Sequence, residues 1–179
     1  MFRRKGEAKR KFDMMTRQRK ALMTEAFWGE ARAHFRLLAY AQRADEEGYP
    51  QLARLFRAIG EAERVHARNH ASLLDSVGST EENLQAAFHS ETFVNEVAYP
   101  RLLREAWALD DKAAIWFLAA ARNAEERHAK LYKMALQHMV ADRLSVYFVC
   151  ENCGWVAEDA APDLCPNCGK PAASFRRMP

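Results

Sequence analysis

A Glu-x-x-His pair that occurs twice constrains this chain more than any other feature. The first pair is Glu63 with His66 and the second is Glu125 with His128. On a helix, residues three apart share a face, so each pair directs a carboxylate and an imidazole the same way. Two such helices, with one glutamate from each of two other helices, supply the ligands of a carboxylate-bridged di-metal site in a four-helix bundle.

The hydrophobic pattern predicts four helices of the required kind. Apolar residues recur at three- and four-residue steps, and glycine, proline and capping residues divide the pattern. The predicted helices cover about 18–46, 50–77, 80–108 and 111–143. Pro100 should bend the third helix, and no strand is expected before Val146. The predicted fold class is therefore mainly α, a four-helix bundle with a small C-terminal domain.

Two further glutamates, Glu30 and Glu91, complete the ligand set. Each lies on the helix before a Glu-x-x-His pair, about as far from the intervening bend as its partner glutamate, so antiparallel packing sets the two level. The six predicted ligands are Glu30, Glu63, His66, Glu91, Glu125 and His128. Four carboxylates in a core would be costly without cations. Mixed oxygen and nitrogen donors suit two iron ions, with manganese as the alternative.

The other four histidines are weaker candidates. His34 and His70 each lie four residues after a predicted ligand. There they could support that ligand or simply pack between helices. His89 and His138 are expected on the surface.

The end of the chain carries two Cys-x-x-Cys pairs, formed by Cys150, Cys153, Cys165 and Cys168. This spacing is typical of a tetrahedral four-thiolate metal site. A glycine follows each pair, which lets the backbone turn and direct N–H groups towards sulfur. Zinc and iron both accept four thiolates, so the spacing alone leaves a structural zinc ribbon and an electron-transfer iron site open.

Composition excludes several classes of function. The 179 residues include 27 Lys and Arg against 24 Asp and Glu, so a nucleic-acid partner is not expected, although residues 1–17 form a basic extension. Neither a secretory signal nor an apolar run long enough to cross a membrane is present in the sequence. All cysteines belong to the metal-binding pairs, which fits a reducing cytoplasm. The predicted domains are this extension, a helical di-metal domain at 18–143 and a four-cysteine domain at 144–179.

Several motifs, in this order, resemble the rubrerythrin family over residues 20–179. They are Ala26-Phe27-Trp28-Gly29-Glu30, Ala62-Glu63-Arg64-Val65-His66-Ala67, Asn83-Leu84-Gln85, Glu91-Thr92-Phe93, Tyr99-Pro100, Glu125-Glu126-Arg127-His128 and the cysteine pairs. The resemblance implies a ferritin-like di-iron bundle joined to a rubredoxin-like domain, whose single iron relays electrons to the di-iron pair. It also implies that Glu30, Glu63, Glu91, Glu125 and His128 ligate iron, with Glu63 and Glu125 bridging.

Two positions depart from the family pattern. The family normally has a further glutamate three residues after the Glu91 position, which exchanges with the histidine of the second helix as the iron changes oxidation state. Val94 stands there in this chain, so we expect His66 to stay bound in both states and the two metal shells to be similar, as in bacterioferritin. Leu37 replaces a usual tyrosine, whereas Tyr99 matches.

The link between the second and third helices is short. Ferritin-like topology needs these helices parallel, and residues 78–80 are too few to return along a helix about 42 Å long. The bundle is therefore either up-down-up-down or completed by another chain. We predict a domain-swapped homodimer.

The function expected from this resemblance is enzymatic reduction of hydrogen peroxide to water at the di-iron site. An external reductase must supply electrons, since the chain has no nucleotide-binding motif. One alternative is a ferroxidase or di-iron oxidase that uses dioxygen, which Val94 favours. Another is a non-catalytic metal-binding protein with a zinc ribbon.

Overall fold

The computed structural model describes residues 2–74, 77–137 and 145–179, and the chain divides into two units, residues 1–78 and 79–179. The elements of the first unit are α1 (Phe2–Glu46) and α2 (Pro50–Ser72). Those of the second unit are α3 (Thr80–Phe93), α4 (Tyr99–Ala108), α5 (Lys112–Gln137), β1 (Tyr147–Cys150), β2 (Val156–Glu158) and β3 (Phe175–Arg177). None of the helices in the described part of the chain is long and apolar enough to span a membrane.

The first unit is an antiparallel helical hairpin. Gly48 turns the chain with φ +81°, and Pro50 starts α2, where its missing N–H has no intrahelical partner to lose. The buried contact between the helices is formed by the small side chains of Ala41, Ala44 and Ala53. Small residues bring the two backbones close together, so the ligand side chains farther along can meet.

The second helix ends earlier than its pattern predicted. It was expected to reach about Val77, but α2 ends at Ser72, and the Leu73 N–H bonds to the His70 carbonyl in a tighter turn. Residues 75 and 76 lie outside the described part of the chain. The prediction for α1 was too short at its other end, because the helix already begins at Phe2.

A capping box starts the second unit. The Glu82 N–H bonds to Ser79 Oγ at 3.2 Å, and the Ser79 N–H bonds to the Glu82 carboxylate at 2.7 Å. The helical run then continues to Ala108 through a π-helical segment at Val94–Ala98.

Pro100 accounts for this wider turn. It has no N–H to give to a carbonyl one turn earlier, so the regular α-helical ladder cannot run through it. Two hydrogen bonds fasten the segment to α5: Asn95 Nδ2 donates to the Arg122 carbonyl at 2.7 Å, and Arg122 Nε donates to the Asn95 carbonyl at 3.1 Å.

Asp111 caps α5, since its carboxylate accepts the Ala114 N–H at 3.0 Å. Asp110 instead adopts a positive φ of 50° in the preceding turn. The described part of α5 ends at Gln137, and the predicted extension to about Arg143 lies outside the described residues.

The C-terminal region is a three-stranded antiparallel sheet in the order β2-β1-β3. The cysteine pairs lie at its turns. Because β1 ends at Cys150 and pairs there with Phe175 of β3, the sheet fixes the first cysteine turn directly. Cys150 and Cys165 are buried. The division into domains at 18–143 and 144–179 stays a prediction.

We predict that residue 60 limits how closely α1 and α2 approach. A Cβ at Gly60 would lie 3.4 Å from Leu37 Cβ, so alanine is accommodated and also gains about 1 kcal/mol of helix propensity. Leucine must displace α1 and should lower the free energy of unfolding by about 1–3 kcal/mol. Urea unfolding of Gly60→Ala and Gly60→Leu tests this, and equal stability of the two variants would contradict the close contact.

Candidate metal centres

The first unit brings three predicted ligands together. Ligand atoms of Glu30, Glu63 and His66 all lie within 4.8 Å of one another. His66 Nδ1 is 2.9 Å from the Glu63 carboxylate, with the two side chains 54% and 21% exposed. Hydrogen bonds from His66 and Glu30 lower the pKa of Glu63. This triad, here called the first half-site, faces outwards on its histidine side.

The second unit forms a triad of the same composition from Glu91, Glu125 and His128, with ligand atoms again within 4.8 Å. His128 Nδ1 is 2.8 Å from the Glu125 carboxylate, and both side chains are largely covered. Burial, followed by the neighbouring Glu125 carboxylate, raises the pKa of Glu91 to about 7. This second half-site therefore holds carboxylates at a separation that favours either a proton or a cation between them.

The other ring nitrogen of His128 fixes the tautomer. His128 Nε2 is 2.9 Å from the Gly154 carbonyl oxygen, which can only accept, so Nε2 carries the hydrogen. When a metal takes the place of the proton between Nδ1 and Glu125, Nδ1 has the lone pair that would bind it. An imidazole held in this way presents a ready metal ligand, because the outer hydrogen bond orients the ring.

The two departures from the family pattern have clear surroundings. Val94 begins the π-helical segment and brings no carboxylate to Glu91, and the nearby Glu96 is exposed. Leu37 lies in the α1–α2 contact near Gly60. Tyr99 borders the second half-site: burial and the carboxylates of Glu125 and Glu91 raise the pKa of its phenol.

The remaining histidines stay apart from the ligand groups among the described residues. His34 Nδ1 is 2.7 Å from the Gly60 carbonyl oxygen and so joins α1 to α2. His89 is exposed, as predicted, with its ring against Phe88. His70 is half-buried, and His138 lies outside the described residues.

The four cysteines form a third cluster with the dimensions of a tetrahedral site. Cys150 and Cys168 Sγ are 3.7 Å apart, and Cys153 and Cys165 Sγ are 3.6 Å apart. Four sulfurs about 2.3 Å from a central metal would be separated by about 3.8 Å. All four thiols are free of disulfides. Burial raises the pKa of Cys153 and of Cys165, so a cation is needed to hold these groups as thiolates.

Each cysteine turn is closed by the glycine that follows it. Gly154 and Gly169 have φ values of +78° and +71°, which a side chain would strain. Their own N–H groups donate to the carbonyl oxygens of Cys150 and Cys165, at 2.8 and 2.9 Å. Neighbouring backbone N–H groups bond to sulfur, as predicted: that of Trp155 to Cys153, and those of Asn167 and Cys168 to Cys165.

Comparison with known proteins identifies the family. The family model described as Rubrerythrin matches residues 21–136, and that described as Rubrerythrin, rubredoxin-like domain matches residues 148–176. The chain belongs to the rubrerythrin family. It is 32% identical to Rubrerythrin-2 of Clostridium acetobutylicum, over 86% of this chain and 93% of that protein. It is also 32% identical to a rubrerythrin of Porphyromonas gingivalis, over 86% of each chain.

Solved structures agree with this placement. The partially reduced state of nigerythrin superposes with a TM-score of 0.56 at 27% identity, covering 89% of this chain and 86% of that one. The predicted fold class, mainly α with a ferritin-like bundle and a small rubredoxin-like domain, is confirmed. The donor sets fit the expected cofactors, an iron pair on carboxylates and imidazoles and a single iron on four cysteines.

Three features near these centres were not predicted from the sequence. They are the π-helical segment, the bond from His128 to Gly154 and an amide pair between Asn123 and Asn167, and the last two join residues distant in the chain. Periodicity shows which face of a helix is apolar, but it does not show which polar residue of that face meets a loop. Pro100 was the single clue to the first of them.

We predict that proton competition at Glu91 makes metal affinity depend on pH. With its pKa near 7, Glu91 is mostly protonated below pH 7, and that proton must leave when a metal binds. Affinity should fall about tenfold for each pH unit below 7 from this group alone.

Chelator competition with Fe(II) under anaerobic conditions, at pH 7.5 to 5.5, measures this dependence. The variant Glu91→Gln serves as the control. It should bind more weakly throughout, and its dependence on pH should be shallower by about one proton per site. Equal slopes for parent and variant would show that Glu91 does not carry the proton.

Proposed function

We propose that this protein reduces hydrogen peroxide to water, with electrons relayed from a four-cysteine iron to a di-iron pair. The observation that carries the proposal is the hydrogen bond between His128 and Gly154, which joins the second half-site to the cysteine turn that contains Cys153. A zinc ribbon in a docking role has no need of this connection. An electron relay does, because transfer slows steeply as the path between donor and acceptor lengthens.

The six predicted ligands have distinct roles in this proposal. By the resemblance to the family, Glu63 and Glu125 would hold both metals. Glu30 with His66, and Glu91 with His128, complete the two shells. When bound, the reduced iron pair supplies the two electrons that break the O–O bond, and two protons complete the formation of two water molecules. The phenol of Tyr99, beside Glu125, is placed to deliver or hold one of these protons.

Cys150, Cys153, Cys165 and Cys168 bind the relay iron in this proposal. One electron at a time must reach it from an external reductase. The cysteine turns are exposed at Asn152 and Lys170, so a donor protein can approach them. A reducing cytoplasm is part of the proposal, since it keeps the four thiols available for metal.

Dioxygen is the alternative oxidant, and Val94 is the observation that favours it. With no carboxylate at this position to displace His66, the residues that would hold the two metals would stay the same in both oxidation states. Such a symmetric ligand set suits a ferroxidase or a di-iron oxidase.

Stopped-flow mixing of the reduced protein with each oxidant separates these functions. We expect the four-cysteine iron to be reoxidised faster by hydrogen peroxide than by dioxygen at equal concentration. A faster reaction with dioxygen would reject the peroxide assignment. Val94→Glu is the matched variant, and it should increase the preference for peroxide.

The colour of the purified protein shows which metal the four-cysteine site holds. Iron on four thiolates gives a red protein, whereas zinc leaves this site colourless and removes the relay.

The assembly we propose is a domain-swapped homodimer. Each unit of the chain supplies three of the six ligands. Helix α2 has 23 residues and a length of about 35 Å, while the seven residues from 73 to 79 reach at most about 25 Å. They cannot return along α2 to start a parallel α3 in the same bundle. A second chain can supply the complementary unit instead.

Exposed apolar side chains support the same assembly. The described core is built mainly of alanines, whereas large side chains remain open to solvent. On the first unit, Trp28 and Phe35 are 59% and 71% exposed. On the second, Trp107 and Phe117 are 65% and 61% exposed. Apolar surfaces of this kind on both units indicate that each is covered in the assembled protein.

A complementation experiment tests the swap. One variant loses the first half-site (Glu63→Ala with His66→Ala), and the other loses the second (Glu125→Ala with His128→Ala). In a swapped heterodimer, one bundle receives both damaged halves and the other receives both intact halves. Mixed chains should therefore regain about a quarter of the parental two-iron sites after random pairing, while each variant alone forms none.

Coupled two-iron spectra and a solution mass of twice 20.5 kDa are the measurements. The parental protein refolded alone controls for losses during mixing. If the mixture regains no two-iron sites, or if the parent is a compact monomer, the swap is rejected.

A further inference from the structure

Two asparagines clasp the four-cysteine region to α5. Asn167 lies between Cys165 and Cys168, and its Nδ2 donates to the Ala120 carbonyl at 2.7 Å. Its Oδ1 accepts a hydrogen bond from Asn123 Nδ2 at 3.2 Å. All of these residues belong to the second unit. One side chain therefore both donates and accepts across the contact, through the two ends of its amide group.

Two further bonds lie on the same side of α5. Arg127 Nε donates to the Val156 carbonyl at 3.1 Å, and His128 Nε2 donates to the Gly154 carbonyl at 2.9 Å. Positions 120, 123 and 127 recur at helical spacing, so they share one face of α5. These four hydrogen bonds, here called the interlock, hold both cysteine turns against that face.

The interlock connects proposed ligands of two metal centres. Gly154 directly follows Cys153, and His128 belongs to the second half-site. The path from the Cys153 sulfur to the His128 ring runs through one short backbone segment and a single hydrogen bond. Its length depends on the cysteine region staying seated on α5.

We propose that Asn167 is a positioning residue which, with Asn123, seats the four-cysteine region on α5 and so sets the rate of electron transfer between the two centres. In each transfer the ferrous four-cysteine iron is oxidised to ferric, and one ferric ion of the di-iron pair is reduced to ferrous. No bond to either asparagine is made or broken. This inference rests on the electron relay of the proposed function, but not on the identity of the oxidant.

Asn167 is the informative position because it can be changed without touching a metal donor. His128 is less informative because it is itself a proposed ligand. Arg127 is less informative because its partner in the cysteine region is a backbone carbonyl, which a side-chain substitution there does not remove. Asn167→Leu keeps a similar volume while removing both hydrogen bonds. Asn123→Ala removes one of them from the α5 side and leaves the cysteine region unaltered in sequence.

Laser-flash photoreduction of the fully oxidised iron protein measures the transfer without any peroxide. The visible band of the four-cysteine iron bleaches as that iron is reduced and recovers as the electron passes on. We expect Asn167→Leu to slow the recovery by about tenfold or more, and Asn123→Ala to slow it less. The absorption spectrum and reduction potential of the four-cysteine iron should stay as in the parent.

Glu151→Gln is the matched control. Glu151 lies in the other cysteine turn, and its side chain pairs with Arg176 rather than with α5. It should transfer electrons at the parental rate. A second readout uses the zinc-loaded dimer, in which nuclear relaxation reports motion. The cysteine region should tumble with α5 in the parent and move independently of it in Asn167→Leu.

The outcomes separate cleanly. Slower recovery with an unchanged spectrum supports the positioning role. A parental rate in Asn167→Leu overturns it, as does slowing that accompanies loss of the four-cysteine spectrum. If the parent transfers electrons internally but does not react with peroxide, the proposed function fails while the role of Asn167 stands.

Discussion

Carboxylates held close together inside helical pairs are the constraint on which the rest of this structure depends. The pKa of Glu91 near 7 shows the cost, since burial and the adjacent Glu125 both oppose its charge. A divalent cation removes that cost and turns a repulsive arrangement into a binding site. The alanines that line the helix contacts contribute to the same arrangement. They let the helices approach closely enough for the glutamate and histidine side chains to meet.

Filling the contacts with alanine has a consequence for assembly. Small residues bury little apolar surface, and large apolar side chains remain exposed on both units. In the proposed swapped dimer, a complementary unit would both complete the set of three ligands on each unit and cover its exposed apolar side chains. The short segment between α2 and α3 is the reason for proposing that this unit comes from another chain.

Much of this organisation could be predicted from the sequence. Glu30, Glu63 and His66 meet as expected, because three-residue spacing and hairpin geometry leave little freedom. The end of α2 at Ser72 and the π-helical segment before Pro100 were not predicted, since they depend on how a helix end or a missing N–H is accommodated in three dimensions. The bond from His128 to Gly154 was also beyond prediction, because no pattern relates a helix residue to a carbonyl 26 positions away.

His128 shows why the two metal centres cannot be placed independently. Its Nδ1 faces Glu125 and its Nε2 donates to the Gly154 carbonyl oxygen. One ring therefore belongs to the second half-site and also anchors the cysteine region. A rotation of α5 that improved one contact would disturb the other. In the cysteine region, the bonds from Arg127 and His128 are accepted by backbone carbonyl oxygens, which every residue supplies. Asn167 is the exception: its side chain takes part directly, so the seating of the cysteine region depends on the identity of this one residue.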